Sequence, residues 1–186
     1  MKEVYSSFRQ HGFSVHNATN ERIGIHGHDY LELAYVEKGA MTHIIDGKET
    51  TLQAGDYFIV DHGIKHSYVQ VSEEPLLVRN FLFYSKFLDP GLATAKSFQE
   101  LMNSYLLRFC YQTLKESPTG ITFHDTDGRI RSVLDEISSE YEEAGYGYME
   151  YIRCAFAKVL ILTMRTIERK ENPVQKSTAY TAPGKS

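Results

Sequence analysis

Cysteine is scarce in this chain of 186 residues: only Cys110 and Cys154 occur. Two thiols are too few for a disulfide framework, which excludes a small disulfide-held scaffold. The expectation is two free, partly buried thiols in a reducing cytoplasm. Long apolar runs are missing too. The longest, Val159 to Leu162, falls far short of the roughly 20 residues that a membrane-spanning helix needs. The stretch from Met1 to Gly12 holds no apolar segment of signal-peptide length. Positive charge is not in excess: 20 Lys and Arg against 24 Asp and Glu give a formal net charge of −4. Such a surface has little grip on a phosphate backbone, so DNA binding by this stretch alone is not expected. Nucleophile and phosphate-loop signatures are absent: there is no G-x-S-x-G, no phosphate-cradling glycine loop and no Cys-x-x-Cys. Nothing here marks an enzyme of those classes.

What is present is an ordinary globular balance, 42% hydrophobic and 24% charged, enough to bury a core in one domain. Residues 1–90 read as short strands rich in β-branched and aromatic residues: 13–17, 31–36, 41–45, 57–60 and 76–84. Asp46-Gly47 between two such runs predicts a type I′ hairpin turn. Residues 91–171 read as helices. Phe98, Leu101, Met102, Tyr105, Leu106, Phe109 and Cys110 recur at helical steps. A second helix is expected over about 126–144, capped by Asp125 or Thr126, with Ile130, Val133, Leu134, Ile137 and Tyr141 as its stripe. Gly145 and Gly147 break it. The third, over about 148–170, has a stripe of Tyr151, Ile152, Ala155, Phe156, Val159, Leu160 and Ile167. Leu162 and Met164 lie off that stripe and suggest a second buried face. Residues 172–186 are polar and read as a flexible linker or tail.

The chemistry-bearing residues cluster. If strand alternation runs from His26 through Glu32, then His26, His28, Tyr30 and Glu32 share one face. His66, Tyr68 and Gln70 share another. Two imidazoles, a carboxylate and a third imidazole suit one divalent transition metal: Zn²⁺, Ni²⁺, Mn²⁺ or Fe²⁺. The alternative is a set of buried groups satisfied by hydrogen bonds, with no metal. His43 lies on a predicted strand and is a candidate pocket residue. His11, His16 and His124 lack partner spacing and read as surface or edge residues. Among the tyrosines, Tyr30 and Tyr68 share faces with the candidate ligands and are the expected pocket residues.

These residues resemble a known family. His26-x-His28, three residues, Glu32, six residues, Gly39 follows the first cupin motif; Gly55 and then Gly63 to His66 follow the second. The glycine scaffold is eroded. The first motif's leading Gly falls on Asn20, the second motif's Pro on Asp61 and its terminal Asn on Gln70. All four ligand positions survive. The run from His26 to Tyr68 also resembles the N-terminal sensor domain of AraC-type transcription regulators.

That resemblance implies an α+β, mainly β fold: a cupin-type jelly-roll β-barrel followed by about three α-helices. Residues 1–90 would be the sensor, 91–171 the helical dimerisation region and 172–186 the start of a linker. A small-molecule effector, a sugar among the candidates, would bind against Tyr30, Glu32, His43, His66 and Tyr68. His26, His28, Glu32 and His66 are the expected metal set, although sensors of this type often keep these residues without a metal. DNA would be read by a helix-turn-helix domain beyond Ser186. A metal-dependent cupin enzyme (a dioxygenase, isomerase or decarboxylase) and a sensor-only modulator are the other readings.

Overall fold

The structure is a computed structural model and describes residues 8, 10–19, 21–105 and 119–171. Among these, β1 (Phe13–Ala18), β8 (Leu77–Phe83), β3 (Leu31–Lys38), β6 (Asp56–Val60) and β9 (Thr122–His124) lie side by side in that order. A second sheet has the order β2 (Arg22–His26), β7 (His66–Gln70), β4 (Ala40–Ile45), β5 (Lys48–Gln53). All pairings are antiparallel. The strands form two facing sheets of a cupin jelly roll rather than one closed barrel. β9 lies in the stretch read as helical, so the first sheet draws one strand from beyond residue 90.

Local chemistry explains several elements. Asp46 and Gly47 both have positive φ, 47° and 74°, as a type I′ turn requires. They join Ile45 to Lys48, the last pair of the β4–β5 ladder. β3 is buried on both faces from Leu31 to Glu37, with Glu32 and Glu37 the charged residues among them. Its alternation divides the core in two. Ala34 and Val36 pack with Met41, Leu52, Phe58 and Val78 between the sheets. Leu31, Leu33 and Tyr35 pack on the other side, against the helices.

Those helices are α1 (Phe98–Tyr105), α2 (Arg129–Glu143) and α3 (Tyr148–Glu171). The rest of the first predicted stripe, Leu106, Phe109 and Cys110, lies outside the described residues, as does the 172–186 tail. At the start of α1 the Phe98 N–H donates to Asp61 Oδ1 at 2.8 Å. Asp61, which breaks the cupin pattern at a proline position, thus serves as a helix cap. α2 begins at Arg129, later than expected, after Gly128 with φ 68°. Asp125 still satisfies its first turn, accepting from the Ile130 N–H (3.1 Å) and the Arg131 N–H (2.8 Å). Ala144, with φ 50°, and Gly147, with φ 82°, end α2 and turn the chain into α3.

α3 differs from its predicted stripe at two places. Tyr151 is 49% exposed, whereas Leu162, placed off the stripe, is 9% exposed. Leu162 joins the helical core of this same chain, with Met164 packed against it. Tyr57 reaches across from β6 to the buried Thr163, hydroxyl to hydroxyl at 3.2 Å. The second buried face of α3 is therefore covered from within the chain. Cys154 is exposed, not partly buried. Among the described residues no helix is long and apolar enough to cross a membrane.

Candidate metal centre and ligand pocket

The strand alternation expected from His26 to Glu32 does not occur. β2 ends at His26, residues 27–30 form a loop, and β3 begins at Leu31 in the other sheet. The shared-face argument fails because the backbone leaves the extended conformation between the two histidines and the glutamate. The crossing between sheets brings the side chains together instead. The Gly63 N–H donates to the His28 carbonyl at 2.8 Å, tying the two motif segments at the crossing.

Three groups converge. His28 Nε2 stands 3.0 Å from Glu32 Oε2, and His66 Nε2 stands 3.7 Å from the same oxygen. The donor atoms of His28, Glu32 and His66 all lie within 4.8 Å of one another. Their side chains are 4%, 9% and 3% exposed, so water contributes little. His26 is not in this set. It is exposed, its Nδ1 stands 3.0 Å from the Gly24 carbonyl, and its ring lies over His66 with centroids 4.3 Å apart.

Proton positions sharpen the picture. His28 Nδ1 lies 2.8 Å from the Tyr30 carbonyl oxygen, which can only accept, so Nδ1 carries a proton. In the neutral ring Nε2 is then a bare lone pair facing a carboxylate. Two acceptors in contact repel; a second proton or a cation between them removes the conflict. His66 Nδ1 and His43 Nε2 form a buried hydrogen bond of 3.2 Å. Burial pulls both imidazoles down to about 4, so both are neutral at pH 7. A cation at Glu32 would select the tautomer in which His66 Nδ1–H donates to His43. Burial alone would raise the Glu32 carboxyl. Hydrogen bonding with His28 and the nearness of the His66 and His16 imidazoles outweigh it, leaving Glu32 below the ordinary carboxylate range.

This donor set fits a divalent transition metal. Two ligands about 2.1 Å from a metal stand about 3.0–3.4 Å apart at right or tetrahedral angles. The 3.0 Å between Glu32 and His28 falls in that range, and the 3.7 Å to His66 lies a few tenths of an ångström beyond it. His66 Nε2 is buried without a hydrogen-bond partner, and His28 Nε2 faces only the Glu32 carboxylate. The Tyr30 carbonyl behind His28 and His43 behind His66 are outer partners of the kind that fix metal-ligating rings.

A cavity of about 80 Å³ is lined by two of the three candidate ligands, Glu32 and His66. Tyr30 and Tyr68 both line it; Tyr30 stacks on His28, with ring centroids 4.2 Å apart. His43 is not on the wall. It sits behind His66 with its ring 4.1 Å from Phe58. Two further wall residues carry no motif signal: His16 and Asn80. His16, read from sequence as surface or edge, pairs with Asn80 across β1 and β8, its Nε2 3.2 Å from the Asn80 amide nitrogen. The one available signal was polarity at an inward phase of two apolar strands. Tyr68 OH, Asn80 Oδ1 and His16 Nδ1 are buried without partners, so polar groups stand ready for a guest. At roughly 30 Å³ per water, the cavity takes an ion with two or three waters; small-molecule pockets usually begin near 300 Å³. A sugar would require the cavity to enlarge.

Comparison with known proteins agrees with the fold. Residues 13–83 match the cupin domain family. The solved structures similar to this chain include an RmlC-like cupin from Shewanella frigidimarina. It is 24% identical over 39% of this chain and 67% of that one, with a TM-score of 0.35. A cupin protein from Bacteroides fragilis is 22% identical over 38% and 63%, TM-score 0.34. A protein from Thermotoga maritima described as a predicted oxalate decarboxylase is 21% identical over 42% and 71%, TM-score 0.37. A search of curated proteins returns no match. The class defined by fold and site is a cupin fold with a His/Glu group able to bind a metal. The fold rests on the strand order and on the match of residues 13–83 to the cupin domain, and the solved structures, with TM-scores below 0.5, add no argument.

Proposed function

We propose that this chain is a sensing cupin of the AraC type, a binding module rather than an enzyme. Its pocket takes one divalent transition metal at His28, Glu32 and His66, and a small effector above it. When bound, the metal supplies a Lewis-acidic position for an oxygen or nitrogen donor of the effector. The helices dimerise the protein, and a DNA-reading domain of a cytoplasmic regulator receives the signal. One observation carries the reading: pocket and helices share a wall. On β3, Glu32 points into the pocket while its neighbours Leu31 and Leu33 pack on the helical side. At the far end of the strand, Glu37 pairs with Arg79 of β8 and with Arg131 of α2 (3.3 Å), and Arg79 reaches Asp135 of α2 (2.8 Å). A guest that moves β3 therefore moves the helices, which is how a ligand shifts a two-state population.

The test uses the full chain. Elemental analysis after incubation with Zn²⁺, Ni²⁺, Mn²⁺ or Fe²⁺ should find close to one bound equivalent, abolished in His28→Ala/His66→Ala. Hydrogen exchange should slow on β3 and also on α2 upon loading. Absence of metal uptake sinks the metal proposal; uptake with protection confined to the pocket sinks the coupling. A metal-dependent cupin enzyme is the second reading, favoured by the same convergent donors. Turnover of an oxidisable, isomerisable or decarboxylatable small acid or sugar by the loaded chain, lost in Glu32→Gln, would move the assignment there.

A further inference from the structure

A second cavity, of about 300 Å³, lies on the other side of the first sheet, between the β9–α2 turn and the C-terminal half of α3. Its wall is polar and rich in arginine. Arg129 comes from the start of α2; Arg165 and Arg169, one turn apart, come from α3. Among the described residues none of these three guanidinium groups has a carboxylate within ion-pair distance, unlike Arg79, Arg131 and Arg153. Two acids on the same wall, Asp125 and Asp127, offset part of this charge but form no ion pair with the three guanidinium groups. Asp125 is occupied by the α2 amides and by the Tyr35 hydroxyl at 3.4 Å, and Asp127 Oδ1 accepts from the Arg129 N–H at 3.3 Å. His124, also on the wall, is paired to Asp56 at 2.7 Å. The wall carries three guanidinium groups against two carboxylates, and the excess positive charge favours an anion in the hollow.

We propose that this cleft binds a small molecule through a phosphate group held by Arg129, Arg165 and Arg169. A guanidinium is a planar fork of donors that pairs bidentately with oxyanions. Three forks exceed what the two oxygens of one carboxylate accept, whereas a phosphate monoester offers three charged oxygens. The volume is at the low end of the range of small-molecule pockets and excludes a large guest. The site stands back to back with the cupin pocket. Tyr57 lines this cleft and its neighbour Phe58 lines the other cavity, from opposite faces of β6.

Isothermal titration of the full chain at 150 mM salt, with inorganic phosphate and pyrophosphate as probes and citrate as the carboxylate control, tests the site. Saturable binding of both phosphates at a single site is expected, with citrate weaker. Arg165→Gln/Arg169→Gln should weaken it about tenfold or more, and Arg165→Lys/Arg169→Lys should weaken it less, since charge is kept and the fork is lost. The arginines are exposed, so the variants should fold; circular dichroism checks this, and Arg129→Gln alone serves if the double variant fails. Amide resonances of Asp125 to Ile130 should shift on titration. No saturation up to millimolar phosphate overturns the proposal. So does binding indifferent to the double variant, citrate binding as tightly as pyrophosphate, or binding of a DNA duplex without binding of pyrophosphate.

Discussion

The two faces of the first sheet are built from opposite materials. The helix-side face holds Phe13, Leu33, Phe81 and Phe83 against Phe156 of α3, all essentially inaccessible and with no polar atom to satisfy. The pocket face of the same strands carries His16, Glu32 and Asn80, several of whose buried polar atoms have no partner. Apolar burial is favourable by about 25 cal/mol per Å², whereas an unpaired buried polar group costs about 1–3 kcal/mol. The helix-side face therefore stabilises the fold throughout, whereas on the pocket face Ala34, Val36, Phe58 and Val78 stabilise it and the unpaired polar atoms of His16 and Asn80 count against it. Polar atoms kept at a loss to stability are the ones that have a ligand to meet.

Mutations should separate the two faces. Phe156 packs edge-on to Phe83 and Phe13, with ring centroids 4.7 and 5.4 Å apart. Phe156→Ala removes a fully buried ring from this junction and should cost about 3–5 kcal/mol, read as a lowered urea midpoint. If the change costs under about 1 kcal/mol, the helical layer is not what holds the sheet.

Acid should act on the other face. The folded-state values of His43 and His66, held at about 4 by burial, lie below the ordinary 6.5. Between pH 6.5 and 4 the unfolded chain takes up protons that the folded chain refuses, so stability falls as pH falls. Each histidine contributes up to about 1.4 kcal/mol per pH unit, and the hydrogen-bonded pair need not be additive. Glu32 acts with the same sign: its lowered carboxyl adds stability that is lost as pH drops through its folded value. Urea titrations of chelator-treated protein at pH 7, 5.5 and 4.5 should show this slope, and His43→Leu should flatten it. An unchanged slope in that variant would remove the buried pair from the account.

The sequence made the strands legible where alternation or apolar runs were strong, and the Asp46-Gly47 turn legible because its positive φ angles demand those residues. β2 and β5 were not read. β2 is mostly exposed and β5 largely so, leaving little apolar periodicity to detect. β9 was missed because a three-residue strand carries no period at all. The ligand triad was visible through motif spacing, yet for a wrong reason, since the loop at residues 27–30 interrupts the presumed strand. His16 and Asn80 could not be found from local pattern: they meet only because β1 pairs with β8, 64 residues away. The arginine cleft was equally hidden, being assembled from a turn and a helix end far apart in sequence.

The smallest effect on stability is expected where the proposed dimer forms. Leu162, which suggested a second buried face, is buried within the chain. One exposed stripe of α3 holds Tyr151 (49% exposed), Cys154 and Ile161 (37% exposed), with the exposed Lys158 between them. A two-fold axis would set this stripe against its own copy, where each residue meets its counterpart's neighbours. Tyr151→Glu/Ile161→Glu should then convert a species of twice the chain mass into one of the chain mass in light scattering. Both sites are open to solvent in the single chain, so its unfolding free energy should change by no more than about 0.5 kcal/mol each. Leu162→Glu is the contrasting variant: it buries a carboxylate among Val159, Ile130 and their neighbours and should unfold the helical layer, whatever the assembly. If the unmodified chain scatters as a single copy at micromolar concentration, the stripe is ordinary exposed surface and the dimer proposal fails.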